Sequence, residues 1–334
     1  MKKVNKDEVL RELEEVMPGL STKEIVDQSS CFVFVNDKVY TYNDEVACQR
    51  ASSSGLSGAV PAMTLINLLR KLPDEVIGIK QTESEVIIQG KNRSSGFSID
   101  ANILLPIDKI DAPKRWVPLH AEFVDALTMC KQCVSRDESE FELTCVHLHP
   151  EWVEAADNYQ ITRCKVPSGL KKSVLIRGAS AGHIASLGAT HIGETKEWVH
   201  FKQGELILSS RRYVDAYPDA TKLFEKKGSP ITLPKSLIEA AERAAVVTAE
   251  NTDENVVQVE IRPGQLMLRG IGVNSWYKER KKVEYQGPEL TFAIPPALLI
   301  QVLKNPRNCL IAPERLMILG ESYSYVTRLG EVVK

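Results

Sequence analysis

The sequence predicts an α+β fold in which one unit of two helices and several short antiparallel strands runs three times, at a spacing of about 115 residues. Three observations carry this. An apolar entry leading into an amphipathic helix opens at Val4 to Leu10, again at Val117 to Phe123, and again at Ile231 to Leu237. Midway through each unit a second apolar segment leads into a second helix, at Ala59 to Met63, Ser173 to Ile184, and Phe292 to Leu299. Short alternating strands fill the intervals, and the joining segments Pro106 to Pro118 and Pro218 to Pro234 are rich in proline, lysine and aspartate, as linkers are. The implied domains are residues 1–112, 113–228 and 229–334.

Each element has a local cause. In the opening helices Val9, Leu10, Leu13 and Val16 form one stripe, as do Phe123, Leu127 and Cys130, and then Leu237, Ile238, Ala241 and Ala245, so each helix buries one face. The opposite face of the first is acidic, with Asp7, Glu8, Glu12, Glu14 and Glu15. Period-two strands follow, with Phe32 and Phe34 set against Val33 and Val35, and with Val257, Val259 and Ile261 after a turn over Asn251 to Asn255. Arg262-Pro263-Gly264-Gln265 reads as a hairpin turn. The second helices, Met63 to Leu72, His183 to Gly188 and Ala297 to Lys304, are short, and two of them follow proline, which suits a first helical turn. Glu85 to Gln89, Glu205 to Ser209 and Arg315 to Leu319 are the strands after them.

Composition narrows the function classes. A chain of 334 residues with 43% hydrophobic content can give each of three units a core. No stretch approaches the roughly 18 uninterrupted apolar residues of a membrane span, and the N-terminus is charged and helical, so a soluble cytoplasmic protein is expected. Seven cysteines, an odd number set mostly among apolar neighbours as in Cys31-Phe32-Val33, are expected to be reduced thiols. The net charge of −2 divides as −4, +1 and +1 over the three units. Tight electrostatic gripping of DNA needs a clear basic excess, which this chain lacks.

Two enzyme-like motifs need weighing. Gly178-Ala179-Ser180-Ala181-Gly182 fits a nucleophile elbow, but a Ser…Asp/Glu…His triad needs a histidine well downstream. The last histidine is His200, with only Glu194 and Glu197 between, so a strand-to-helix turn of small residues is the better reading of Ser180. Cys130-Lys131-Gln132-Cys133 has Cys145, His147, His149 and Cys164 nearby, the makings of a zinc site. Yet the helical stripe buries Cys130, and Leu143, Cys145 and His147 continue a strand's alternation, which favours structural cysteines. The sequence has no phosphate-cradling glycine loop and no HExxH.

Two helices and antiparallel strands, three times over, resemble the bacterial-type DNA sliding clamp, the beta subunit of replicative DNA polymerase. Two motifs of the second unit sharpen the resemblance. Tyr217-Pro218-Asp219, after Ile207 to Arg211, is similar to the family's Phe-Pro-Asp, and Val153 to Ile161 is similar to its Val-Ala-Thr-Asp-Gly-His-Arg-Leu. The resemblance implies a non-catalytic, cofactor-free homodimeric ring that encircles duplex DNA without reading its sequence. Its implied partners are the replicative polymerase and a clamp loader, with no membrane. A closed ring is held by topology and needs only weak, mobile phosphate contacts.

The pocket residues implied follow by motif, and the DNA-facing ones are basic residues on or beside the helices. A peptide-docking pocket would use Leu143, Ala156, Asn158, Tyr159, Gln160, Ile161, Pro218, Lys222 and Leu223, with Tyr323, Tyr325, Val326, Thr327 and Arg328 from the last strand. Its floor is expected to be Ile161, Pro218, Leu223 and Tyr325. Duplex DNA would meet Arg70, Lys71, Lys131, Arg177, Lys235, Arg243 and Lys304, although such cations near helix ends also serve as dipole partners. Val246 and Val247 would meet Phe97 and Ile99 of a second copy. The chain departs from the family at Asn158-Tyr159-Gln160, where the family has Gly-His-Arg, at Tyr325 to Leu329, and in the five residues Gly330 to Lys334 that follow. A three-domain interaction scaffold that keeps the fold without encircling DNA is the alternative.

Overall fold

The computed structural model describes residues 1–24, 26–251 and 255–329. The middle of the Asn251 to Asn255 turn and the Gly330 to Lys334 extension lie outside the described residues. The chain runs β1 (Lys2–Asn5), α1 (Lys6–Val16), β2 (Cys31–Val35), β3 (Lys38–Tyr42), β4 (Val46–Ala51), β5 (Gly58–Pro61), α2 (Ala62–Lys71), β6 (Val76–Gln81), β7 (Glu85–Gly90) and β8 (Arg93–Ser98). It continues with β9 (Val117–Pro118), α3 (Phe123–Cys130), β10 (Cys145–Leu148), β11 (Val153–Ala156), β12 (Gln160–Cys164), β13 (Val174–Arg177), α4 (Gly178–Leu187), β14 (His191–Glu194), β15 (Trp198–Gln203) and β16 (Leu206–Arg211). Then come β17 (Ser229–Ile231), α5 (Ser236–Thr248), β18 (Val257–Arg262), β19 (Gln265–Ile271), β20 (Trp276–Lys282), β21 (Leu290–Ile294), α6 (Pro296–Lys304), β22 (Asn308–Ala312), β23 (Arg315–Leu319) and β24 (Tyr323–Arg328). The order strand, helix, four strands, helix, three strands therefore occurs three times.

By contacts the chain forms two compact units. The first comprises Met1–Val124, Gly169–Lys171 and Ala179–Tyr213. It holds a four-stranded sheet, β1-β6-β7-β8, and an eight-stranded one, β5-β2-β3-β4-β16-β15-β14-β9, all antiparallel. β4 and β16 join the halves of the large sheet, with Ile207 opposite Gln49 and Ser210 opposite Val46. Arg211 reinforces the seam by pairing with Asp44 and Glu197 while its guanidinium lies 4.2 Å from the Trp198 ring. Ile107 and Ile110 of the expected linker, with Ile103 just before it, pack on the cluster of Val33, Tyr42, Ala47, Ala59, Leu105 and Trp198, so that segment covers core.

The second unit comprises Asp125–Ser168, Lys172–Gly178 and Val214–Lys334. It repeats the plan, with a four-stranded sheet, β20-β19-β18-β21, and an eight-stranded sheet, β13-β10-β11-β12-β24-β23-β22-β17. The seam here is β12 with β24, Ile161 opposite Val326. Pro263-Gly264 turns β18 into β19 as expected, Gly264 taking φ +74°, the conformation that a type II turn needs at that position.

The helices correct three expectations. On α1 the buried stripe is Val9, Glu12, Leu13 and Val16, and Leu10 is only half-buried. Glu12 goes inside because its Oε2 accepts the Ser53 backbone N–H at 2.8 Å, so the acidic face has one carboxylate fewer. On α5 the stripe is Leu237, Ala240, Ala241, Ala244 and Thr248, with Ile238 and Ala245 at its margins. α4 starts at Gly178, not His183, so the small residues form its first turns, where a Cβ on Gly178 would stand 2.7 Å from Val134 Cγ2. Ser180 is then buried, unlike an exposed nucleophile. All seven cysteines are thiols outside any disulfide. The Cys133 Sγ lies 3.2 Å from Thr162 Oγ1 and the Cys130 Sγ 3.5 Å from the Val153 carbonyl, and burial pushes both thiols upward in pKa. No helix among the described residues is long and apolar enough to cross a membrane.

Candidate functional site

The eight-stranded sheet of the second unit has two faces, and register sorts the residues between them. Along β23, Leu316 and Ile318 alternate with Met317 and Leu319, and all four are buried. Ladder pairing puts Met317 beside Val326, Val326 beside Ile161, and Ile161 beside Ala156. These residues and Leu319 form one apolar cluster, flanked by the half-buried Leu143, Ala220, Phe224 and Leu310. Leu223, 46% exposed, stands nearby on the same helical turn as Phe224, and Pro218, Lys222, Asn158, Tyr159 and Arg328 are all solvent-exposed.

Polar contacts hold the flanks. Arg315 donates to the carbonyls of Leu223 and Glu225 at 2.9 and 3.0 Å, anchoring the turn Thr221–Phe224. Asp157 Oδ1 accepts the N–H groups of Tyr159 and Gln160, each at 2.8 Å, and the Tyr159 carbonyl accepts from the Arg328 N–H. Beside the apolar cluster Glu154 is buried, bonded to His147 Nδ1 at 2.8 Å, Trp152 Nε1 at 3.0 Å and the Arg163 guanidinium at 2.7 Å. Burial alone pushes Glu154 up, but His147, Arg163 and Trp152 together outweigh it and hold the carboxyl below its usual range. Arg163 in turn lies 4.7 Å from the Trp152 ring and 4.5 Å from the Phe224 ring, so one buried ion pair helps fix a wall of the cluster. His147 stacks on Tyr217, just before Pro218.

The structure divides the pocket residues expected from sequence. Leu143, Ala156, Ile161 and Val326 meet in the cluster. Gln160, Tyr323, Tyr325 and Thr327 do not, because alternation turns them to the other side of the sheet. Tyr325 is 0% exposed and donates to Gln160 Oε1 at 2.9 Å, and the Tyr323 hydroxyl donates to the Val302 carbonyl on α6. The apolar cluster is therefore floored by Ala156, Ile161, Val326 and Met317, with Tyr325 on the other face of the sheet. Met317, Leu319, Ala220, Phe224 and Leu310 were missed, although the unbroken apolar run of β23 signals a strand buried on both faces.

The candidate DNA-facing cations also divide. Arg70 pairs with Glu14, Arg177 with Glu138, and Arg243 with Glu279 through two bonds of 2.8 Å. Lys71, Lys235 and Lys304 are exposed at helix ends, Lys131 is half-buried, and among the described residues no ion pair joins these four to a carboxylate.

The two four-stranded sheets end in the edge strands β1 and β8 in the first unit and β20 and β21 in the second. Phe97 and Ile99, expected to reach a second copy, are 8% and 6% exposed, because Phe97 faces Val86 inside its own sheet. Val247 is half-buried, and Val246 is 75% exposed at the end of α5.

The comparisons with known proteins agree on the fold. A DnaN sliding clamp (DNA polymerase III subunit beta) from Bartonella birtlesii, solved bound to griselimycin, matches with a TM-score of 0.77 over 99% of both chains at 18% identity. The corresponding clamp from Pseudomonas aeruginosa matches at 0.75 and the DNA polymerase III beta subunit from Thermotoga maritima at 0.73, each over 99% of both chains at 15% identity. No protein-family model and no curated protein sequence matches the chain. The chain has the sliding-clamp fold over nearly its whole length.

Proposed function

We propose that this protein is a DNA sliding clamp, in which two copies join head to tail into a closed ring around duplex DNA. Each copy contributes three domains, residues 1–112, 113–228 and 229–334. One observation carries the reading: four of the six four-stranded sheets already fuse edge to edge within the chain, through β4–β16 and β12–β24, while their counterparts in the repeat, β8 and β20, are edge strands, as β1 and β21 also are. Pairing β8 of one copy with β20 of the next extends the same rule to a third seam, and after two copies the contact closes. Val246 supplies exposed apolar surface for that seam.

The ring carries no chemistry of its own. Placed by a clamp loader, it slides in the cytoplasm and tethers the replicative polymerase, whose peptide docks on the cluster of Ala156, Ile161, Val326 and Met317 with Leu223 at the rim. A few apolar anchors in such a site supply most of the affinity. A second reading, a scaffold of the same fold that does not encircle DNA, is favoured by Arg70, Arg177 and Arg243 being occupied by carboxylates, and by the five acidic residues of α1 against two basic ones. Mass in solution separates the two. About twice the 37.2 kDa of the chain supports the clamp, and a stable monomer at micromolar concentration supports the scaffold.

A further inference from the structure

The four-stranded sheet of the second unit presents one face to α5 and the other to solvent. Tyr277, Glu279 and Lys281 face the helix, where Glu279 binds Arg243 and Lys281 binds Glu239. Alternation therefore sends Trp276, Lys278, Arg280 and Lys282 to the far face, and all four are exposed. Their ladder partners bring Ile271, Arg269, Met267 and Gln265 to the same face, with Arg269 directly opposite Lys278. Like charges at that spacing repel. Among the described residues no ion pair joins Arg269, Lys278, Arg280 or Lys282 to a carboxylate, whereas Arg262 occupies both Glu260 and Glu289. A lysine on an edge strand guards against aggregation, but that does not account for Arg269, which lies on the interior strand β19.

We propose that this face is a binding track for single-stranded nucleic acid. Along β20 the row begins with an indole 71% exposed and continues with a cation every second residue, about 6.8 Å apart at strand rise. A flexible polyanion with a flat ring on every repeat suits such a row, the cations taking phosphates and Trp276 stacking on a base. A shallow depression of about 370 Å³ lies on the same face, lined by Glu260, Arg262, Gln265, Met267 and Arg280. A stiff duplex presents its bases edge-on and offers Trp276 no ring face to stack on. The track belongs to one chain and stands whether or not the ring closes.

The test is fluorescence anisotropy of labelled (dT)20 and of a 20-base-pair blunt duplex against the full chain, from about 20 to 200 mM salt. The parent should bind (dT)20 more tightly than the duplex, with an affinity that falls steeply with salt. Lys278→Gln/Arg280→Gln/Lys282→Gln should weaken (dT)20 at least tenfold at the lowest salt and reduce the log–log salt slope by about 2, as loss of three phosphate contacts requires. Trp276→Ala should weaken binding severalfold with the slope unchanged, a readout that mere surface charge would not give. A Lys71→Gln/Lys235→Gln/Lys304→Gln variant should bind (dT)20 like the parent. Equal or tighter duplex binding, loss confined to the helix variant, or displacement of (dT)20 by an equal concentration of a 20-residue polyglutamate would each overturn the proposal.

Discussion

Replacing Val246 by glutamate probes the proposed seam between copies at an exposed apolar point. Val246 is 75% exposed in the single chain, so nearly the whole side chain is available for burial against a second copy. Burying a valine side chain is worth about 1.5–3 kcal/mol, and leaving an unpaired carboxylate in its place costs several more. A closed two-copy ring contains the contact twice, so a loss of about 3 kcal/mol per seam becomes about 6 kcal/mol per ring, or roughly 10⁴-fold in dissociation constant. Sedimentation velocity at micromolar concentration should show the parent as a dimer and Val246→Glu as a monomer with an unchanged thermal unfolding profile. Met63→Glu is the control, since Met63 is also apolar and exposed, at 51%, but lies on α2 rather than on α5, β8 or β20. A Val246→Glu protein that sediments with the parent's mass would refute the placement of the seam.

Two further outcomes follow from the sites. A peptide with Gln, Leu and Phe anchors should bind the parent, and Leu223→Ala should weaken it about tenfold, or by about 1–2 kcal/mol, in a fluorescence titration while the dimer persists; Tyr325→Phe, behind the sheet, should leave that affinity unchanged. Stability should fall with acidity through His200, which is buried between Thr195 and Ser209 with its pKa pushed down by burial to about 4. The unfolded chain takes up that proton near pH 6.5 and the folded chain only near 4, so the stability present above pH 6.5 is lost as pH falls between those values, by about 3 kcal/mol. Chemical denaturation at pH 7 and pH 4.5 should show a smaller pH difference for His200→Asn than for the parent, and an equal difference would exclude this histidine as the cause.

Much of the fold was legible because it is written in periodicity. Helix stripes at 3.6 residues and strands at two recur wherever the unit recurs, and those periods follow from backbone geometry. The errors arose where one local bond overrode the pattern. Nothing in the spacing of α1 signals that Glu12 turns inward, since its partner, the Ser53 amide, is far away in sequence. The candidate docking cluster was half legible: Ile161 and Ala156 lie in a motif, whereas the faces of β24 were not, because Tyr323 to Arg328 mixes aromatic, polar and apolar residues without alternation. Met317 and Leu319 were hidden by the opposite ambiguity, an unbroken apolar strand that serves two faces at once. The burial of Phe97 depends on its partner Val86 in β7, a ladder contact that the sequence of β8 does not encode.

Retention on DNA of different topology tests encirclement most directly. The protein, loaded onto a nicked circular plasmid by an ATP-driven clamp loader and passed through a sizing column at physiological salt, should travel with the DNA and should be lost when the plasmid is cut once before the column. Near-neutral charge leaves electrostatics too weak to hold a ring on an open duplex end. Equal retention on circular and linear plasmid, or no retention on the circle after loading, would contradict the claim that the protein is held by topology.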